Sequence, residues 1–100
     1  MRPEGMIRVC DGVKYDTDKA EIIASDEYWD GHNFERDGRN THLFKTPKGR
    51  FFATYLSMWE GDVDTLEPIV ESEAIEIYDG LPEKEISFEE AFPDEVVEEA

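Results

Sequence analysis

Apolar and polar residues alternate from the start of the chain. Ile7 and Val9 interleave with Arg8 and Cys10, Asp11-Gly12 follows, and Val13-Lys14-Tyr15 returns. Two residues that both tolerate positive φ, set between alternating segments, predict a β-hairpin over residues 6–15. Asp16 or Thr17 can cap a short helix over residues 19–24. The β-branched Ile22 and Ile23 leave a strand as the alternative. Periodicity is lost over residues 25–40, which Gly31, Asn33, Gly38 and Asn40 punctuate. That stretch predicts a long loop ordered by Tyr28, Trp29 and Phe34, and long ordered loops often carry function.

The clearest pattern spans residues 41–59. Thr41 to Thr46 runs into Pro47-Lys48-Gly49, a type I turn signal with a bulge, and the chain returns from Arg50 to Trp59. Phe52, Leu56 and Met58 fall on one face of the return; Phe51, Ala53, Tyr55 and Trp59 fall on the other. Apolar residues on both faces predict a central strand covered on each side. Residues 60–70 read as a connection. Ser72 is placed to cap a helix reaching Asp79, with Ala74, Ile75 and Tyr78 on one face and Glu73, Glu76 and Asp79 on another. Gly80 is placed to end it in a left-handed conformation. Ser87-Phe-Glu-Glu90 matches a capping box, and Pro93 stops the short helix it opens.

These elements sum to an α+β fold: a small antiparallel sheet of two hairpins packed against one main helix and one or two short helices. Residues 1–93 are expected to form one domain and residues 94–100 an acidic tail. A chain of 100 residues suits one core, and twelve aromatic rings can bury enough surface to fill it.

Charge narrows the function classes more than composition does. The net charge is −16, from 26 acids and 10 bases. Residues 1–50 hold 10 acids and 9 bases, whereas residues 51–100 hold 16 acids and one base, Lys84. Solubility alone needs a net charge of about 2–8 in magnitude for a small domain. Salt adaptation would spread acids along the whole chain. The asymmetry therefore points to an anionic interaction surface. The basic and aromatic stretch from His32 to Arg50, which includes Phe34, Arg36, Arg39, His42, Phe44, Lys45 and Lys48, is read as neutralising nearby acids.

Catalytic signals are weak. Cys10 is a lone cysteine, which excludes an intramolecular disulfide and suits a reducing cytoplasm. His32, His42 and Cys10 lack ligand spacing. Asp62-x-Asp64-x-x-Glu67 lacks the glycine and full spacing of a calcium loop. No nucleophile motif or phosphate-cradling glycine loop is present. A non-enzymatic protein with no cofactor and no metal is the expectation.

Several segments carry a resemblance: Lys14-Tyr-Asp-Thr-Asp-Lys-Ala20, Thr41 to Phe52 with its Thr-Pro-Lys-Gly-Arg-Phe-Phe, Glu67-Pro-Ile-Val-Glu-Ser-Glu-Ala74, and Ser87 to Phe92. Together they resemble a family of small uncharacterised bacterial and mobile-element proteins, over most of the chain. That resemblance implies no activity and no site residues. In size and charge the chain is also similar to phage and plasmid DNA-mimic inhibitors of the anti-CRISPR and anti-restriction kind. That second likeness implies an inhibitor that blocks a positively charged nucleic-acid-binding surface, such as a CRISPR effector subunit, inside a host bacterial cell. The expected partner-binding residues are Asp62, Asp64, Glu67, Glu71, Glu73, Glu76, Asp79, Glu83, Glu85, Glu89 and Glu90. The alternative is an acidic adaptor that binds a host protein through its aromatic loop, with Tyr28, Trp29 or Phe34 as anchors. Neither reading involves direct nucleic-acid binding or a membrane.

Overall fold

The structure is a computed structural model that describes residues 3–26, 39–57, 61 and 63–96. The first hairpin forms as the pattern predicts. Strands β1 (Ile7–Cys10) and β2 (Val13–Asp16) pair antiparallel. Asp11 and Gly12 both take positive φ, 52° and 77°.

The chain then departs from the helix expected over residues 19–24. The Asp16 carboxylate accepts from the amide of Asp18 at 2.9 Å, and the Lys19 amide donates to the Asp16 carbonyl at 3.2 Å. These bonds close a turn instead of opening a helix. A strand follows, β3 (Glu21–Ser25), so the β-branched pair outweighs the capping signal.

Strands β4 (Arg39–Lys45) and β5 (Phe51–Ser57) form the second hairpin. Its turn is closed by the Gly49 amide on the Thr46 carbonyl at 2.9 Å, with Gly49 at φ 83°. The Thr46 hydroxyl also accepts from the Arg50 amide at 3.0 Å.

The stretch expected to be a plain connection contains a strand, β6 (Thr65–Ile69), which pairs with β5. Pro68 concealed it, because proline argues against a strand except at a sheet edge, where β6 lies. Helix α1 (Glu71–Gly80) starts one residue before Ser72, and Val70 stands at its cap position with no side-chain cap. Gly80 stays inside the helix without a positive φ, contrary to the expected left-handed ending. The Leu81 amide bonds back to Ile77 and Tyr78, and the Lys84 ammonium donates to the carbonyls of Tyr78 and Leu81. A cation does there what a glycine was expected to do. Strand β7 (Glu83–Lys84) pairs with β3, and helix α2 (Phe88–Ala91) is capped by Ser87, whose hydroxyl accepts from the Glu90 amide at 3.3 Å.

The second hairpin is therefore the middle of a five-stranded antiparallel sheet, ordered β6-β5-β4-β3-β7, and β1-β2 is a separate two-stranded sheet. This is an α+β domain dominated by sheet. Strand β5 is interior and covered on both faces. Phe51 packs with Leu43, Tyr78, Leu81 and Phe92 on the helix side. Phe52 packs with Phe44, Tyr15 and Leu66 on the hairpin side. Phe44 and Phe52 stack with centroids 4.7 Å apart.

A bulge at Ile23 serves both layers. Ile22 pairs with Phe44 and Ala24 with Leu43, so Ile23 is the extra residue. Its side chain is fully buried toward the helices, and its carbonyl accepts from the amides of Glu85 and Ile86 at 3.0 and 3.3 Å. The chain leaving β7 is thereby fixed on course for α2.

Both edges of the five-stranded sheet are blunted. Strand β7 has two residues, and β6 carries Pro68. Arg8 reaches from the hairpin to the Leu66 carbonyl and the Glu67 carboxylate, each at 2.9 Å. Among the described residues, no helix is long and apolar enough to cross a membrane.

Candidate functional site

Four of the eleven expected acidic residues, Glu71, Glu73, Glu76 and Asp79, lie on α1. Glu73, Glu76 and Asp79 are exposed on one helix, three residues apart. At 1.5 Å rise per residue their Cα positions step about 4.5 Å along the axis. The environment of two tyrosines shows which other acids join them. Burial raises the phenol pKa of Tyr55 above its ordinary value, and the carboxylates of Glu73 and Glu67 raise it further. Tyr55 therefore has acids from α1 and β6 beside it. Burial likewise raises Tyr78, with Asp79 and Glu89 adding to the effect. The charges of Glu67 and Glu73 thus act on Tyr55, and those of Asp79 and Glu89 on Tyr78.

The remaining acids are placed differently. Glu71 lies against the C-terminal segment. Desolvation raises its carboxyl pKa, and a side-chain hydrogen bond to Glu95, the charge of Glu95 and that of Asp94 act in the same direction, while Lys45 opposes them. Asp64 accepts from the Ser57 amide at 2.9 Å and so serves the turn between β5 and β6. Glu67 shares its charge with Arg8. Glu83 and Glu85 are exposed at the β7 edge. Glu90 is exposed, near Lys45. Asp62, Tyr28, Trp29 and Phe34 lie outside the described residues.

Apart from Arg8 and Arg39, the bases among the described residues divide into two groups. Lys84, the sole base of residues 51–100, has its ammonium on the last carbonyls of α1 and over the Tyr78 ring at 4.7 Å. Lys45 donates to the Ala91 carbonyl at the end of α2, at 2.8 Å. Both cations sit where the helix dipole is negative. Lys45 thus serves the neutralising role expected of the basic stretch, because it also lies near Glu71. Lys48 and Arg50 do not: neither makes an ion pair among the described residues, and both join Lys14 and Lys19 around one hollow. The signal for that grouping was present in two tight turns flanked by lysines, but only the packing of one hairpin over the other brings them together.

His42 is fully buried in β4, cross-strand from Thr54 and Ser25, and so adds nothing to a basic surface. Cys10 lies at the edge of the hairpin-side core. Among the described residues no three His, Cys, Asp or Glu side chains are grouped to hold a metal ion.

Comparison with protein-family models, with curated proteins and with solved structures gave no match.

Proposed function

We propose that this is a non-enzymatic acidic binding protein whose α1 face occupies a positively charged nucleic-acid-binding surface on another protein, as a mobile-element inhibitor of the anti-CRISPR, DNA-mimic kind would. One observation carries the reading. Glu73, Glu76 and Asp79 stand exposed at steps of about 4.5 Å along the helix axis while the sole base of that half is turned onto the helix end. Phosphates along one DNA strand recur about every 3.4 Å of axis. A helix-borne carboxylate row whose step falls between one and two such rises supports engagement of a groove lined by Lys and Arg. Glu89, whose charge acts on Tyr78 together with that of Asp79, adds to the row. The charge would draw such a partner from a distance at low salt.

The test is affinity capture from bacterial lysate at low and high salt, with mass spectrometry of what is retained. A basic nucleic-acid-binding protein should be retained at low salt, released at high salt and displaced by added DNA. The variant Glu73→Lys/Glu76→Lys/Asp79→Lys should lose it. Retention that ignores salt, DNA and this triple reversal defeats the mimic reading and favours an adaptor that binds through its aromatic residues.

A further inference from the structure

Among the described residues, four cations that serve neither a helix end nor an ion pair have a common destination. Lys14, Lys19, Lys48 and Arg50 line one hollow of about 410 Å³. Such a volume falls within the range of small-molecule sites. Two tight turns build its rim. Gly12 belongs to the Asp11-Gly12 turn and Lys48 to the Thr46–Gly49 turn, and both turns are held by positive-φ glycines. Val13, Ala20 and Pro47 supply apolar wall. Val13 and Ala20 pack against the hairpin-side core, so that wall is anchored.

Charge argues for an occupant. None of the four cations has an ion-pair partner among the described residues, although the chain carries 26 acids. Asp16 is the one acid lining the hollow, and its carboxylate already accepts from the Asp18 amide. Four like charges facing one space repel one another, and an anion placed between them would offset that repulsion. Arg50 offers a planar fork that matches phosphate oxygens in pairs, and the lysines add point charges.

The surroundings select for a compact anion. The adjoining hollow shares Lys19, Ala20, Thr46 and Pro47, but it also carries Asp18, Glu21 and Glu90, with Lys45 already bound to the Ala91 carbonyl. A nucleic-acid strand leaving the cationic hollow in that direction would meet carboxylates. A ligand confined within about a Debye length of the four cations would feel mainly their attraction.

We propose that this hollow binds a small phosphorylated molecule of the nucleotide class, its phosphates under Lys14, Lys19, Lys48 and Arg50 and its apolar part against Val13, Ala20 and Pro47. The site is independent of the α1 face, so either proposal can fail without the other.

The test is a nuclear magnetic resonance titration of the full chain with ATP, inorganic tripolyphosphate and a short single-stranded oligonucleotide. ATP should shift the amides of Gly12, Lys14, Lys19, Lys48, Gly49 and Arg50. Lys48→Ala/Arg50→Ala should bind ATP about tenfold or more weakly, the scale of losing one charge-assisted contact. Both positions are exposed in or beside a turn, and an unchanged spectrum elsewhere confirms the fold. Glu73→Gln/Glu76→Gln should not weaken it. No shifts at millimolar ATP, or shifts that map elsewhere, overturn the site. Tripolyphosphate binding as tightly as ATP overturns the apolar half of the assignment. An oligonucleotide binding more tightly than ATP overturns the small-ligand assignment.

Discussion

Lys84 and Glu71 show how single side chains settle the charge balance of this molecule. Lys84 lies among sixteen acids, yet its ammonium faces helix carbonyls and an aromatic ring. The acidic face is left without an interspersed cation from its own half. Glu71 is the reverse case, a carboxyl held next to Glu95 and Asp94. A carboxyl whose folded pKa exceeds its unfolded value binds its proton more tightly when folded. The stabilising contribution is complete below the ordinary value of 4.5 and is lost as pH rises through the folded pKa. Glu71→Gln removes the charge that is unfavourable at neutral pH. It should raise the thermal midpoint at about pH 7, and its advantage should fade toward about pH 4. An advantage that is the same at both pH values would show that the Glu71–Glu95 contact does not govern this titration.

At the level of elements, β5 joins the two layers, because Phe51 and Phe52 are adjacent in sequence and enter opposite cores. Phe52 is fully buried, stacked on Phe44 and edge-on to Tyr15 at 5.7 Å. Phe52→Ala should cost about 3–5 kcal/mol, measured by urea unfolding. A loss below about 1.5 kcal/mol would mean that the hairpin collapses into the vacated space. These two hairpins were legible in the sequence because each announces itself locally, through Asp-Gly and Pro-Lys-Gly turns and through alternation. Strand β3 was legible only as an alternative, since local capping groups at Asp16 and Thr17 competed with β-branched residues whose advantage is realised by pairing with β4 and β7. Strand β6 was hidden by Pro68 and a run of acids. The acidic helix face was visible as spacing along the chain. The cationic hollow was not, because Lys14 and Lys19 lie some thirty residues before Lys48 and Arg50. Nothing short of the hairpin's packing over the sheet joins them.

Taken whole, the molecule separates its charges by structure. The carboxylate row lies on α1, and Lys14, Lys19, Lys48 and Arg50, without ion pairs among the described residues, cluster where two turns meet. A basic protein partner and a small anionic ligand would thus have different addresses on one domain. The blunted sheet edges acquire a meaning in that setting. Mutual repulsion keeps copies of a chain at −16 apart, but in about 1 M salt screening acts within about 3 Å and that barrier disappears. Pro68, the Arg8 side chain over Leu66 and the two-residue β7 do not depend on salt strength in the same way. Arg8→Ala/Pro68→Val should therefore self-associate at high salt by analytical ultracentrifugation, while the parent stays monomeric. A parent that associates equally would show that the edges are not what keeps copies apart. The same protection would apply when a basic partner neutralises the acidic face: the five-stranded sheet of the discharged complex would still offer no unblunted edge on which a fibre could be seeded.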